Sequence, residues 1–326
     1  MSCTNNLKQL GIALHNYHDT NKAFPAASNR LFKKDNSGAL TSHYSFLGTM
    51  FILTPYYELS TVYEEGKNNP IDPTNGIPWA KTQSALICPS DANKNLTQGR
   101  SDYVVCTGDW PDILVNDSIQ NTRGLFVMPD IHWAVCPGSF MTLTNPTGRN
   151  SWRTFASLSD GTSNTIAFSE RVTAAKANNF RGAYSTAATN GIDATIAATL
   201  PYKCSLMKQG NGTYSGTTQT DYLGTRWGDG RMPSTFSAIL PPNSASCSGN
   251  GATFGIFQDR SIFTATSYHA NGANVTFADG STHFITDTIN SGGIDATTTP
   301  AASGSSPFGI WGALGSISGS ETVELP

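Results

Sequence analysis

Apolar residues recur at three- and four-residue steps at the start of this chain: Cys3, Leu7, Leu10, Leu14 and Tyr17. That spacing puts them on one face and predicts an amphipathic helix over residues 3–20. Asn21 is placed to stop it, and Phe24-Pro25 opens an extended connection. A second, shorter helix is expected over 56–65, after Pro55, with Tyr56, Leu59 and Tyr63 facing inward. From Cys88 onward the period changes to that of strands. The candidates are 102–106, 124–128, 165–169, 263–267, 273–278 and 282–286, rich in Val, Ile, Phe and Thr and mostly bounded by Gly, Asn, Asp or Pro. Residues 172–262 show no period and are expected to form an irregular insertion with a few strands. The Ala/Ser/Gly-rich stretch 300–306 is expected to be a flexible link to a closing segment around Trp311.

The last two strand candidates belong together. Alternation runs through Val275 and Phe277 and resumes at His283 and Ile285, with Asp279-Gly280 between. Asp-Gly supplies the positive φ angles of a two-residue hairpin loop. His269 precedes Asp279 by nine intervening residues. These patterns together predict an α+β fold: an N-terminal helix packed on an antiparallel sheet, with large loop and strand insertions.

Composition narrows the function. Charged residues are 13% of the 326, against roughly 25% in an average soluble protein, and Thr, Ser, Asn and Gly take their place. The net charge of −3 and the lack of any Lys/Arg run leave no electrostatic footprint for nucleic acid. No apolar stretch reaches the roughly 18 residues of a membrane span. Six cysteines, Cys3, Cys88, Cys106, Cys136, Cys204 and Cys247, form no CxxC pair. The even count in a polar, loop-rich chain points to three disulfides in an oxidising compartment.

Several segments, in order, resemble one bacterial family: prepilin-type proteins with a processing-associated His-x9-Asp-Gly motif, to which no biochemical activity is assigned. They are Cys3-Thr-Asn-Asn-Leu-Lys-Gln-Leu-Gly with Leu14-His15-Asn16-Tyr17-His18-Asp19, Phe24-Pro25, Pro55-Tyr56-Tyr57-Glu58 and Cys88-Pro89-Ser90-Asp91. Asp160-Gly161-Thr162-Ser163-Asn164-Thr165 ending in Glu170, Pro241-Pro242-Asn243, His269 to Gly280 and Trp311-Gly312-Ala313-Leu314-Gly315 complete the set. The resemblance implies that residues 1–22 are the amphipathic second half of a pilin-type helix. A basic leader and an apolar membrane half would precede them in the natural protein. Residues 23–326 would form the pilin-like β-rich domain. It implies a structural subunit of an envelope or extracellular pilus- or pseudopilus-like assembly. Its partners would be copies of itself or other pilin-like subunits, and the inner-membrane assembly machinery through the upstream segment. Two other readings stand beside it: an extracellular module recognising glycan or protein through 172–262, and an envelope hydrolase using His269. Cys3 and Cys88 both lie in the resembling motifs, which implies that they pair. Cys204 and Cys247 share the irregular region and form the second candidate pair, leaving Cys106 and Cys136.

The individual residues have mostly structural expectations. His15 and His18 are expected to hydrogen-bond at a helix end near the sheet; with Asp19 they are also a weak metal pair. His269 is expected to bond backbone around the hairpin, with a base or ligand role as the alternative. Asp160, Gly161, Ser163 and Asn164 look like a turn feeding a strand, in which polar side chains satisfy local backbone. Glu170 with Arg171 is a candidate ion pair. Asp279 is expected to shape its turn, and is the one candidate, with Asp287, for calcium. No catalytic residue and no cofactor is expected.

Overall fold

The computed structural model describes residues 2–29, 32–34, 40–42, 47–68, 80–91, 99–110, 123–127, 153–173, 179–186, 200–215, 218–219, 223–224, 226–248, 261–295, 298, 301, 303–321 and 323. Helix α1 spans Ser2–Asn21 and buries Cys3, Leu7, Leu10, Ala13, Leu14 and Tyr17, the face its spacing predicts. It stops at Lys22, whose left-handed φ of 59° lets its N–H reach His18 O at 2.7 Å.

The seat of α1 is a five-stranded sheet. Its strands are β1 (Tyr103–Cys106), β2 (Ile166–Glu170), β3 (Thr235–Phe236), β4 (Gly272–Phe277) and β5 (Thr282–Thr286), in spatial order β5-β4-β2-β1-β3. All neighbours are antiparallel except β1 and β3, which run parallel. The sheet is therefore mixed at one edge, where a purely antiparallel sheet is expected from the hairpin pattern.

The two faces of the sheet divide the core, with a bulge in the β2–β4 pairing that sets Ile166 and Phe168 on opposite sides. Tyr103, Val105 and Phe168 join Leu7, Leu10 and Leu14 on the α1 side. Val104, Cys106, Ile166, Val275, Phe277 and Ile285 point the opposite way. That second face is covered by the helix Gly309–Gly315, whose buried Trp311 stacks on Phe236 with ring centroids 6.1 Å apart and donates Nε1–H to Leu240 O at 2.8 Å. The hairpin's most apolar residues thus turn away from α1. What β4 presents to the helix is Asn274 and Thr276, and Gly11 makes the close crossing: a Cβ there would lie 3.1 Å from Gly280 Cα and 3.2 Å from Thr276 Cγ2.

Four local expectations are corrected. The second helix is Ser60–Asn68, preceded by a 3₁₀ turn Thr54–Tyr56, because Glu58 adopts a φ of 67° that no helix accommodates. Residues 123–127 bend rather than form a strand; Gly124 packs so tightly on Gly108 that a Cβ on either would fall within 2.4 Å of the other's amide nitrogen. Residues 263–267 are extended but bond irregularly, Phe263 O accepting from Ser237 and Glu170 O from Thr266, so the ladder is confined to Ser261–Ile262. The stretch 300–306 is gripped where it is described: Arg123, itself paired with Asp109, donates to Ala301 O at 3.1 Å and Gly304 O at 2.6 Å.

The region 172–262 is better organised than its sequence suggests. Its strands Tyr184–Thr186, Thr218–Gln219 and Cys247–Ser248 build a small sheet with Ser261–Ile262. Phe180, Tyr214, Ile239, Leu240 and Phe308 form its core, beside a Cys204–Cys247 disulfide.

Candidate functional site

The first turn of α1 carries Cys3, which is disulfide-bonded to Cys88. Cys88-Pro89-Ser90-Asp91 is a turn closed by Asp91 N–H on Cys88 O at 2.9 Å. Buried carboxylates hold this turn from below. Asp102, just before β1, accepts Cys88 N–H at 2.7 Å and a fork from Arg100 at 2.9–3.3 Å. Arg100 also lies 3.2 Å from Asp91, whose Oδ2 accepts from both Thr173 N and Thr173 Oγ1 at 2.9 Å. Burial pushes the Asp102 carboxyl up, against the pull of Arg100.

Glu170, the last residue of β2, reaches the same place. It is 2% exposed. Its Oε2 accepts Asn274 N–H and its Oε1 accepts Asn274 Nδ2–H, both at 2.9 Å. His269, in the loop entering β4, sets Nε2 3.2 Å from Glu170 Oε1, with 30% of its side chain exposed. Asn243 shapes that loop from a left-handed φ of 60°. Its Oδ1 accepts Ser267 N–H at 2.9 Å, its Nδ2 donates to Gly272 O at 3.3 Å, and Ser267 Oγ accepts His269 N–H at 3.1 Å. Ser90 Oγ completes the cluster, 3.4 Å from His269 Nε2 and 2.7 Å from Cys88 Sγ.

His269 therefore bonds a carboxylate, where a backbone partner is expected. Ser90 and Glu170 both meet its Nε2. A nucleophile relay needs the hydroxyl on one ring nitrogen and the acid on the other, so this arrangement does not form one. Glu170 and Arg171, expected as a pair, are strand neighbours and so point to opposite faces. The buried Arg171 donates to Pro233 O at 3.2 Å and Thr235 O at 2.9 Å instead.

The far end of α1 is fastened to the hairpin. His15 Nε2 meets Ala278 O at 2.8 Å, and His18 packs between Phe24 and Phe155 at centroid distances of 4.7 and 4.3 Å. The hairpin loop has three residues, not two. Gly280 N–H bonds Phe277 O and Phe277 N–H bonds Ser281 O, both at 2.9 Å, and within the loop only Gly280 has a positive φ, 84°. This is a type I turn closed by a glycine bulge. Asp279 Oδ1 accepts Ser281 N–H at 2.8 Å, which occupies it in the turn. The Asp160–Asn164 turn abuts it, Thr162 O accepting Asp279 N–H at 3.1 Å and Thr165 O accepting Ala278 N–H at 2.8 Å. Asp160 also holds the closing segment through Gly319 N at 2.6 Å and Ser320 N at 2.9 Å, Gly161 takes a φ of 97°, and Ser163 is exposed.

Among the described residues one group of His, Cys, Asp and Glu side chains converges on a common point: Cys3, Cys88, Glu170 and His269. Asp279, His15 and His18 are not in it. All four of its members lie at the edges of motifs noted in the sequence. Asn274 lies inside the last of those motifs and Asp102 at the start of a predicted strand, but their roles here, and that of Arg100, emerge only from the fold.

The third expected disulfide does not form. Cys106 is a free thiol, fully buried among the second-face residues Phe236 and Trp311; Cys136 lies outside the described residues. Burial pushes the Cys106 thiol up to about 12, so at pH 8 almost no thiolate exists there. The Cys106 peptide is expected to stay unmodified by iodoacetamide in the folded protein and to be labelled fully in denaturant. Native labelling at the rate of an exposed thiol would contradict the burial.

Residues 1–292 match the model of a family described as "Protein of unknown function (DUF1559)". No curated protein and no solved structure matches the chain.

Proposed function

Since the chain belongs to the DUF1559 family, for which no activity is described, we propose from its geometry that it is a non-enzymatic structural subunit of an envelope or extracellular pilus- or pseudopilus-like assembly. The observation that carries this reading is the mounting of α1. One face is sunk into the sheet, while Asn5, Lys8, Gln9, Ile12, Asn16 and Asp19 on the other are exposed. The helix is fixed covalently at Cys3 in its first turn and by His15 three turns later. A helix continued upstream into a membrane or a filament core would put its load on this first turn, where the covalent link sits. The exposed face would then meet copies of the chain or related subunits. Two disulfides fit an oxidising compartment such as the envelope.

The test is the N-terminus of the mature protein in cells that express the gene from its natural reading frame. Mass spectrometry is expected to find an apolar segment running into α1, cleaved from a basic leader by a prepilin peptidase. A mature protein with neither that segment nor that cleavage would overturn the assignment.

A further inference from the structure

We propose that Cys3, Cys88, Glu170 and His269 make a second, reduced-state site that binds one divalent metal ion of the zinc class. This inference does not rest on the subunit reading. The donor atoms, two sulfurs, one carboxylate oxygen and one imidazole nitrogen, all lie within 4.8 Å of one another. Zinc bound by two thiolates, an imidazole and a carboxylate has metal–ligand distances of about 2.3 Å to sulfur and about 2.0–2.1 Å to nitrogen and oxygen, in tetrahedral array. The edges of that tetrahedron are about 3.3 Å between N and O and about 3.6 Å from S to either. Here His269 Nε2 and Glu170 Oε1 are 3.2 Å apart, Cys88 Sγ and Glu170 Oε1 3.8 Å, and Cys88 Sγ and His269 Nε2 4.0 Å. The two sulfurs must part from bonded contact to about 3.8 Å, and Cys3 Sγ, now within 4.8 Å of the other donors, must settle at about 3.6 Å from the nitrogen and oxygen.

The surroundings suit the role. Metal-binding carboxylates are oriented by outer hydrogen bonds, and Asn274 grips Glu170 through its backbone N–H and its amide. Ser90 Oγ stands 2.7 Å from Cys88 Sγ, placed to donate to a thiolate. The two cysteines and Glu170 are buried, and the partly exposed His269 leaves a way in.

The chemistry closes as follows. A dithiol reductant gives two electrons and two protons; the Cys3–Cys88 bond breaks, two thiols form, and the reductant becomes its own disulfide. The incoming ion displaces both thiol protons to solvent, leaving two thiolates, one carboxylate and a neutral imidazole around a dication. One pair of cysteines thus exchanges a covalent link for a coordinate one at the same place.

The experiment titrates Co²⁺ alone, as an optical substitute for zinc, into the full chain without oxygen, before and after reduction with a dithiol. The reduced protein is expected to bind one equivalent, with the visible bands of tetrahedral cobalt and a thiolate charge-transfer band. Its affinity should exceed that of the oxidised protein by about 100-fold or more. Because reduction also opens Cys204–Cys247, His269→Gln and Glu170→Gln identify the site: each should weaken binding about tenfold or more and change the visible bands. Circular dichroism of the oxidised variants checks their folding; if Glu170→Gln does not fold, His269→Gln decides alone. Equal binding before and after reduction, unchanged affinity in the variants, or a reduced chain that unfolds and takes up no stoichiometric cobalt would each overturn the proposal.

Discussion

Replacing both Cys3 and Cys88 by serine is expected to destabilise the oxidised protein by about 4–5 kcal/mol, from the chain entropy released when the link is lost. The cysteines are 85 residues apart in sequence, which is why the effect is large. At about 2 °C per kcal/mol for a chain of this size, the melting temperature should fall by roughly 8–10 °C. Urea denaturation of the double variant measures it directly. A loss under about 1 kcal/mol would mean that packing and the bonds from Asn6 to Ile87 O and from Tyr103 to Cys3 O hold the helix start without covalent help.

Leu14→Ala is expected to cost about 2–5 kcal/mol, the range for emptying a packed core site. Leu14 has no exposed surface and sits where α1 crosses the sheet, in one cluster with Phe168 and Val105. The control lies two residues away. Ile12 is 61% exposed, so Ile12→Ala should change stability by no more than about 0.5 kcal/mol. Equal effects from the two substitutions would mean that α1 does not use the face described here.

Those two leucine-type positions also mark what a single sequence can reveal. The helix is legible because its buried face repeats over about four turns, from Cys3 to Tyr17, and so is the hairpin, whose strands alternate. The hairpin loop was misread by one residue because Asp-Gly also serves a type I turn with a glycine bulge, in which only Gly280 needs a positive φ. The positions of the few strands expected in 172–262 are not legible, because strands of two or three residues have no period to detect. The Cys3–Cys88 link followed only from the resemblance, since spacing allows every pairing. The site itself was the least legible part. Glu170 and His269 are 99 positions apart, and what joins them is the β2–β4 pairing and the bend at Asn243. Their partner Asn274 reads in sequence as an ordinary strand residue between apolar ones. Sequence did locate the motif ends; the fold explains why they occur together, since Cys3, Cys88, Glu170 and His269 meet at one end of α1 while His15, Asp160 and Asp279 serve the other.

The two-sided covering of the sheet has a consequence for how the chain is made. α1 is synthesised before every strand of the sheet, but β4, the strand it crosses, ends at residue 277. At about 5–20 residues per second, the apolar face of the helix waits roughly 13–51 s for the last part of its seat to be synthesised. During that interval Leu7, Leu10 and Leu14 have no native strand at β4 to cover them, while Cys88 has long since emerged to meet Cys3. Where export into an oxidising compartment accompanies synthesis, that order favours covalent capture of the helix start before the sheet closes.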